Sequence, residues 1–127
     1  MRESAEKPNH PIAMSQHTIT RKELLRAPIG SRTVATVDVR EIAFAPGQQT
    51  GRHLHPCPVV GYIAEGAATL QIEGREPQSL PAGAAFYEPA ETVIARFDNA
   101  SQTEAMKFIA CYLLAANEPL IELLPEA

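Results

Sequence analysis

Apolar and polar residues alternate along most of this chain, and the alternation predicts a series of short β-strands. The clearest example is Ala68, Leu70 and Ile72, which alternate with polar neighbours as in a strand that buries one face. The same pattern recurs over residues 35–40, 59–64, 84–88, 93–98 and 103–114. Gly- and Pro-containing turns separate these segments at roughly 8–12-residue spacing, and no convincing helix lies between them. The pattern therefore predicts an all-β antiparallel sandwich or barrel.

Three local features refine this prediction. Arg21 to Arg26 is predicted as one helical turn, with Thr20 as its N-cap. The apolar phase shifts between Val39 and Ile42, which indicates a bulge near Glu41. Residues 120–124 are predicted to pack as a helical turn or an extra strand. We therefore divide the chain into an N-terminal arm (1–32), a barrel (33–114) and a C-terminal tail packed on the barrel (115–127).

Composition narrows the function classes. The 127 residues are 45% hydrophobic and 20% charged, as in one globular domain, and no apolar run approaches the length of a membrane span. Residues 1–34 carry six basic and three acidic side chains, whereas residues 35–127 carry five and twelve. An acidic body with few aromatic residues argues against nucleic-acid binding. The basic start lacks an apolar segment of a secretory signal, so a cytoplasmic protein with reduced cysteines is expected.

The segment that carries candidate chemistry is Gly47-Gln-Gln-Thr-Gly-Arg-His53-Leu-His55. Alternate residues of a strand point to the same side, so His53 and His55 share a face, roughly 6.6 Å apart along the strand. Two imidazoles placed in this way can converge on one divalent metal such as Zn, Fe, Mn or Ni. The alternative is that His53 is an exposed loop residue and His55 only stacks on Pro56.

Two spaced motifs resemble those of the cupin superfamily. Gly47, His53, His55 and Gly66 fall on its first motif, and Gly83 and Pro89 fall on its second. The resemblance covers about residues 33–114 and implies an antiparallel double-stranded β-helix, or jelly-roll barrel. It also implies a small-molecule ligand in the barrel, and a homodimer paired through N-terminal strands, which would cover an exposed sheet edge.

The chain departs from the motifs at two positions where cupins carry metal ligands. Val59 or Val60 occupies the glutamate position and Ile94 the second-motif histidine position, and neither side chain can bind a metal. With His53 and His55 as the only protein ligands, a divalent metal should be weakly bound. Glu88 and Cys57 are the candidates for a third ligand, and His10 and His17 could also fold over the barrel mouth.

The expected pocket lies around the two histidines, with Val59 and Ile94 beside them. Tyr62 and Arg96 are further candidates for its lining, although each is equally compatible with an exposed strand position. An inward Arg96 could bind a carboxylate.

Besides a structural dimer or an accessory module for another protein, two functions remain open at this stage. The first is a small single-domain cupin that binds a small apolar or acidic molecule, with or without a weakly held metal. The alternative is a metal-dependent enzyme of the dioxygenase or isomerase type acting on a small organic substrate. The apolar residues at the two lost ligand positions favour the first.

Overall fold

A computed structural model of the protein describes residues 18–126. Residues 1–17 of the predicted N-terminal arm, with His10 and His17, lie outside the described residues. Nine strands form within the described part: β1 (Thr36–Phe44), β2 (His53–Leu54), β3 (Val59–Glu65), β4 (Ala67–Ile72), β5 (Gln78–Pro81), β6 (Ala85–Glu88), β7 (Ile94–Asn99), β8 (Met106–Leu114) and β9 (Glu122–Leu123). Within residues 18–126, no helix is long and apolar enough to cross a membrane.

The strands form two antiparallel sheets that enclose the core. One sheet has the order β1-β8-β3-β6 and the other the order β5-β4-β7-β2-β9. Because consecutive strands lie in different sheets, apart from the β4–β5 hairpin, the two sheets wind into a double-stranded β-helix. The predicted all-β fold is confirmed.

The core is built from the inward residues of both sheets. Ile63, Leu70, Ile94 and Met106 are almost completely buried, and β8 alternates between buried and half-buried positions along its whole length. Period-two alternation of this kind places one apolar face of each strand inside. The core therefore follows directly from the pattern of the sequence.

The bulge predicted near Glu41 is wrong. Pairing between β1 and β8 runs without interruption from Thr36 opposite Leu114 to Phe44 opposite Met106. Asp38 and Arg40 consequently share the inner face with Ile42, but they lie toward the open end of the sandwich, where polar side chains reach solvent. β1 is one regular strand. The sequence shows a change of phase between its apolar and polar positions because one end of its inner face is covered by the core and the other end is open to solvent.

The helical turn predicted over residues 21–26 is also wrong, because the described residues before β1 form no helix. A single turn gains few hydrogen bonds for its nucleation cost, and Pro28 disfavours a helix just before it. Instead, Arg32 forms an ion pair with Glu118 at 2.9 Å, and the Ala35 amide donates to the Leu114 carbonyl. These contacts tie the segment to the barrel in an extended form.

The C-terminal tail adds a strand beside β2. Within β9, Leu123 pairs with His53 and Glu122 pairs with Leu54. The Leu124 amide donates to the Arg52 carbonyl, and the Arg52 guanidinium donates to the Pro125 carbonyl. Of the two conformations predicted for this tail, the extra strand is the one observed.

One turn retains a backbone conformation that normally requires glycine. Glu91 has a φ of 60° and is the only non-glycine residue with positive φ among residues 18–126. It occupies the position where the second cupin motif has glycine, and its amide donates to the His55 carbonyl at 2.8 Å. The turn next to the histidines therefore stores backbone strain that a glycine would relieve.

We expect Glu91→Gly to stabilise the protein by about 0.5–1 kcal/mol, because strain relief exceeds the entropy that glycine adds to the unfolded chain. Urea unfolding should show a higher midpoint with an unchanged slope. The matched control is Glu76→Gly, at an exposed position without positive φ, which should be neutral or destabilising. An equal effect of both substitutions would contradict the assignment of strain to Glu91.

Candidate metal centre

Two buried histidines face the interior from β2 and its C-terminal end. His53 and His55 are only 2% and 5% exposed, and their rings meet edge to face at a centroid distance of 5.0 Å. His53 pairs with Ile94 of β7, which fixes its register in the second sheet. Pro56 then ends the strand. The shared face predicted from the spacing of the two histidines is thus the inner face of the barrel.

A carboxylate reaches the same point from the opposite sheet. Glu88, at the end of β6, is 3% exposed, and its Oε1 atom lies 2.7 Å from His55 Nε2 and 3.6 Å from His53 Nε2. The three ligand atoms all lie within 4.8 Å of one another. Two histidines and one carboxylate on one side of a site form the facial arrangement that holds a divalent metal with open positions.

Backbone carbonyls fix the orientation of both imidazoles. His53 Nδ1–H donates to the Gly51 carbonyl at 2.7 Å, and His55 Nδ1–H donates to the Leu120 carbonyl at 2.6 Å. A carbonyl oxygen can only accept, so the proton of each neutral ring is on Nδ1 and the Nε2 lone pair faces Glu88. This outer support is typical of histidines that bind metals.

The cluster needs a positive charge at its centre. Two Nε2 lone pairs and a carboxylate oxygen point at one another, and Glu88 Oε1 has no aligned hydrogen-bond partner among the described residues. Lone pairs that converge in a buried site repel unless a proton or a metal ion lies between them. The geometry therefore suits a divalent cation at this point.

Without a metal, protons must supply that charge. Burial alone would lower the pKa of His53, but Glu88 and the Gly51 carbonyl outweigh it and raise this pKa. Burial alone would raise the pKa of Glu88, but the neighbouring imidazoles outweigh it and lower that pKa. In the metal-free protein the stabilisation from Glu88 is lost as pH falls through its lowered pKa. The stabilisation from His53 is lost as pH rises through its raised pKa.

A cavity of about 240 Å³ opens beside the cluster. The three candidate ligands form one part of its wall. The other lining residues are mostly apolar and include all four phenylalanines of the chain: Ile42, Phe44, Thr50, Val59, Phe86, Phe97, Phe108, Ala110, Tyr112 and Ile121. The absence of a side chain at Gly61 leaves space for the Phe86 ring, because a Cβ atom there would lie 2.1 Å from that ring. The site thus combines a polar centre with an aromatic pocket.

Of the two candidates for a third ligand, the fold brings Glu88 to the histidines and leaves Cys57 out of the cluster. Cys57 is fully buried, and burial raises the pKa of its thiol, so that the thiol stays protonated. Pro56 and Pro58 flank Cys57 and interrupt the strand, so the side chain of Cys57 does not continue the alternation of β2. Because Cys57 lies outside the cluster of candidate ligand atoms, it is not positioned to act as the third ligand.

The structure places three of the four predicted pocket residues away from the cavity wall. Val59 lines the cavity, but Ile94 is packed in the core and Tyr62 is 42% exposed on the outer face of β3. Arg96 is also exposed and pairs with Asp98 at 2.8 Å. Tyr62 points outward because its neighbours Gly61 and Ile63 take the inner positions of the strand.

The outward direction of Arg96 has a specific cause. Along β7, the register against β4 shifts between the pairs Gln71–Arg96 and Ile72–Ile94. An extra residue at a bulge reverses the side on which the following residues point. Arg96 therefore does not share the face of Ile94, although it lies two residues further along.

Sequence reasoning missed Tyr112 and the contribution of the tail. Tyr112 is 7% exposed, lines the cavity and packs its ring against His55 at a centroid distance of 5.8 Å. Burial, and then the charge of Glu88, raise the pKa of Tyr112. Its even-numbered position in β8, shared with Phe108 and Ala110, was a signal that could have found it. No local signal could have predicted that Leu120 and Ile121 border the site.

The fold and the cluster together define a double-stranded β-helix protein with a candidate metal centre of two histidines and one carboxylate. The cupin domain model matches residues 40–112, so this chain belongs to the cupin domain family. No curated protein matches it.

Several solved structures share the fold. A cupin-like protein from Thermotoga maritima is 22% identical, with a TM-score of 0.61 over 71% of this chain and 65% of that one. Oxalate oxidase in complex with glycolate is 21% identical, with a TM-score of 0.59 over 69% and 46%. Salicylate 1,2-dioxygenase from Pseudoaminobacter salicylatoxidans is 16% identical, with a TM-score of 0.55 over 61% and 22%. This chain thus spans less than two thirds of the length of each of the three.

The position of the carboxylate can be tested by moving it. Val59, at the glutamate position of the first cupin motif, is the direct cross-strand partner of Glu88. We expect Glu88→Val to weaken Ni²⁺ binding roughly 100-fold or more, because two histidines remain and loss of even outer-sphere support costs 10–100-fold. Adding Val59→Glu should recover much of this loss, since the new carboxylate occupies the adjacent inward position. Calorimetric titration measures each affinity.

The matched control for this exchange is Val60→Glu in the Glu88→Val background. Val60 is the next residue of β3 and faces the opposite side of the sheet, so it should restore nothing. Wild-type affinity in Glu88→Val alone, or equal rescue by Val59→Glu and Val60→Glu, would rule out Glu88 as the third ligand.

Proposed function

We propose that this protein binds a small organic molecule at a divalent metal held by His53, His55 and Glu88. The observation that carries the proposal is the convergence of two Nε2 atoms and one carboxylate oxygen at the wall of a cavity. Both imidazoles are already held in the tautomer that a metal requires. A purely structural cluster would have no need of an adjoining apolar cavity.

The donor set restricts the metal to a class. Two imidazole nitrogens and one carboxylate oxygen suit Zn²⁺, Fe²⁺, Mn²⁺ or Ni²⁺ and offer no thiolate for softer ions. The weak binding predicted for two histidines alone no longer applies once Glu88 is a third ligand. His53, His55 and Glu88 would hold the ion and leave its other positions open to a ligand.

The size and lining of the cavity restrict the ligand. About 240 Å³ is below the usual range for drug-sized molecules, so the ligand is small. The rings of Phe86, Phe97 and Phe108 pack at tilted and edge-to-face angles at this wall, with centroid distances of 4.8–5.9 Å. An apolar body with one polar end directed at the metal satisfies both parts of the site.

The second candidate function is catalysis by the same centre. Three protein ligands on one side leave open coordination positions, which metal-dependent oxygen and proton-transfer chemistry requires. An oxalate oxidase and a salicylate 1,2-dioxygenase are among the proteins of similar fold. Oxygen uptake by the Fe²⁺-loaded protein, in the presence of small organic acids, separates catalysis from binding alone.

Protein purified without chelator should contain one divalent metal per chain by elemental analysis. Removal of the metal should lower Tm, and re-addition at 100 times Kd should restore about 2.7 kcal/mol. This gain should shrink as pH falls through the raised pKa of His53, because protons compete with the metal for Nε2. An empty centre that none of the four metals stabilises, with an organic ligand still bound, would contradict the metal site.

We further propose that the protein is a homodimer. Val37 and Val39 are 55% and 61% exposed on the outer face of β1, and among residues 18–126 β1 pairs only with β8 in its sheet. Cys111 and Tyr62 continue this outer apolar face across the neighbouring strands. Exposed apolar faces beside an open strand edge are typical of association sites.

Light scattering should give the mass of two chains at micromolar concentration. Val39→Asp should shift the protein to the monomer, because a carboxylate would have to be buried in the contact. Glu41→Asp, on the same outer face but already charged, is the control and should leave the mass unchanged. A wild-type monomer would refute the dimer.

A further inference from the structure

The cavity wall contains one polar side-chain group that neither the metal centre nor the fold uses. Apart from the three candidate ligands, the polar lining residues are Thr50 and Tyr112. The Thr50 hydroxyl donates to the Phe97 carbonyl at 3.0 Å. The Tyr112 side chain lines the cavity and is 7% exposed, and its hydroxyl makes no hydrogen bond within residues 18–126 but retains contact with solvent.

Tyr112 lies beside the metal centre because of strand register. It pairs with Val59, and Val59 pairs with Glu88, so the three residues share one row of the inner face. Neighbouring strands are about 4.8 Å apart, which places the backbones of Tyr112 and Glu88 roughly 10 Å from each other. A small molecule bound at the metal therefore lies between the metal ligands and the phenol ring.

Water can satisfy this hydroxyl in the free protein, so a ligand that displaces the water must supply an acceptor in its place or lose affinity. A phenol, with an ordinary pKa of about 10, is protonated at neutral pH and donates one hydrogen bond. An anionic oxygen is the acceptor that forms the strongest bond of this kind. The Tyr112 hydroxyl thus selects ligands that carry a second oxygen atom close to the metal.

The charge of the site points to the same class. A divalent cation with one carboxylate ligand, Glu88, leaves a net charge of +1 in a largely apolar wall. At the open end, Arg40 is neutralised by Asp38 at 2.8 Å. Because an uncompensated charge is expensive in a buried site, a ligand with a single negative charge is favoured.

We propose that Tyr112 is a specificity-determining residue for a small organic monocarboxylate. One carboxylate oxygen binds the metal, and the other accepts a hydrogen bond from the Tyr112 hydroxyl while the apolar body packs on the phenylalanines. This inference rests on the proposed metal-dependent binding and adds the class of ligand and the residue that selects it.

The test uses the Co²⁺-loaded protein and two probes followed through the visible absorption bands of the metal. Benzoate offers two oxygen atoms, whereas pyridine binds a metal through one nitrogen and carries no other polar atom. Tyr112→Phe should weaken benzoate binding roughly tenfold or more and leave pyridine binding nearly unchanged. The control is Tyr62→Phe, on the exposed outer face, which should alter neither affinity.

Each contrary outcome has a distinct meaning. Unchanged benzoate affinity in Tyr112→Phe would mean that both oxygens bind the metal, and this would overturn the role of Tyr112. An equal loss for both probes would show a structural role only. Wild-type protein that binds pyridine but not benzoate would refute the monocarboxylate class. Absence of cobalt bands in the wild type, before any probe is added, would refute the proposed metal site itself, and this inference with it.

Discussion

The hydrogen bonds from the two histidine Nδ1 atoms to backbone carbonyls are the constraint on which the site depends. One acceptor, Gly51, is local, but the other, Leu120, lies 65 residues further along the chain than His55. Only when the tail pairs with β2 does His55 acquire its fixed tautomer and direction. The C-terminal strand is therefore part of the candidate metal centre, although it contributes no ligand atom.

Cross-strand register explains how a chain that lacks two expected ligands still assembles a triad. Paired residues of an antiparallel ladder have Cβ atoms about 4.5–5.5 Å apart on the same face, so two paired positions reach almost the same space. Val59 and Glu88 form such a pair. Glu88 therefore supplies a carboxylate in the space next to the position that Val59 leaves without one.

The apolar wall of the cavity strengthens the electrostatic interactions of the His53, His55 and Glu88 cluster. Phenylalanine rings exclude water, and this raises the cost of any charge left unbalanced in the cavity. Burial of His53 and Glu88 at 2% and 3% exposure makes a central cation worth more there than at a surface site. The Tyr112 hydroxyl influences ligand choice because a ligand that fills the cavity displaces the water that would otherwise bind this hydroxyl.

Local patterns in the sequence determined much of this protein. Period-two alternation predicted most strands and the inner face of β8, and the His-x-His spacing placed both imidazoles on one side. These features depend only on backbone geometry within a few residues. Alternation could not reveal β5, whose four residues carry one buried side chain, nor exclude a helical turn at residues 21–26.

Tertiary structure decided the rest, because pairing partners and bulges are set by contacts between distant residues. The bulge in β7 turned Arg96 outward, and the register of β6 against β3 chose Glu88 over Cys57. The parity of Glu88 was uncertain from sequence, since Pro89 and the turn after it interrupt the strand. Side-chain direction is thus predictable within an unbroken strand, whereas convergence on one point requires the two sheets to be folded together.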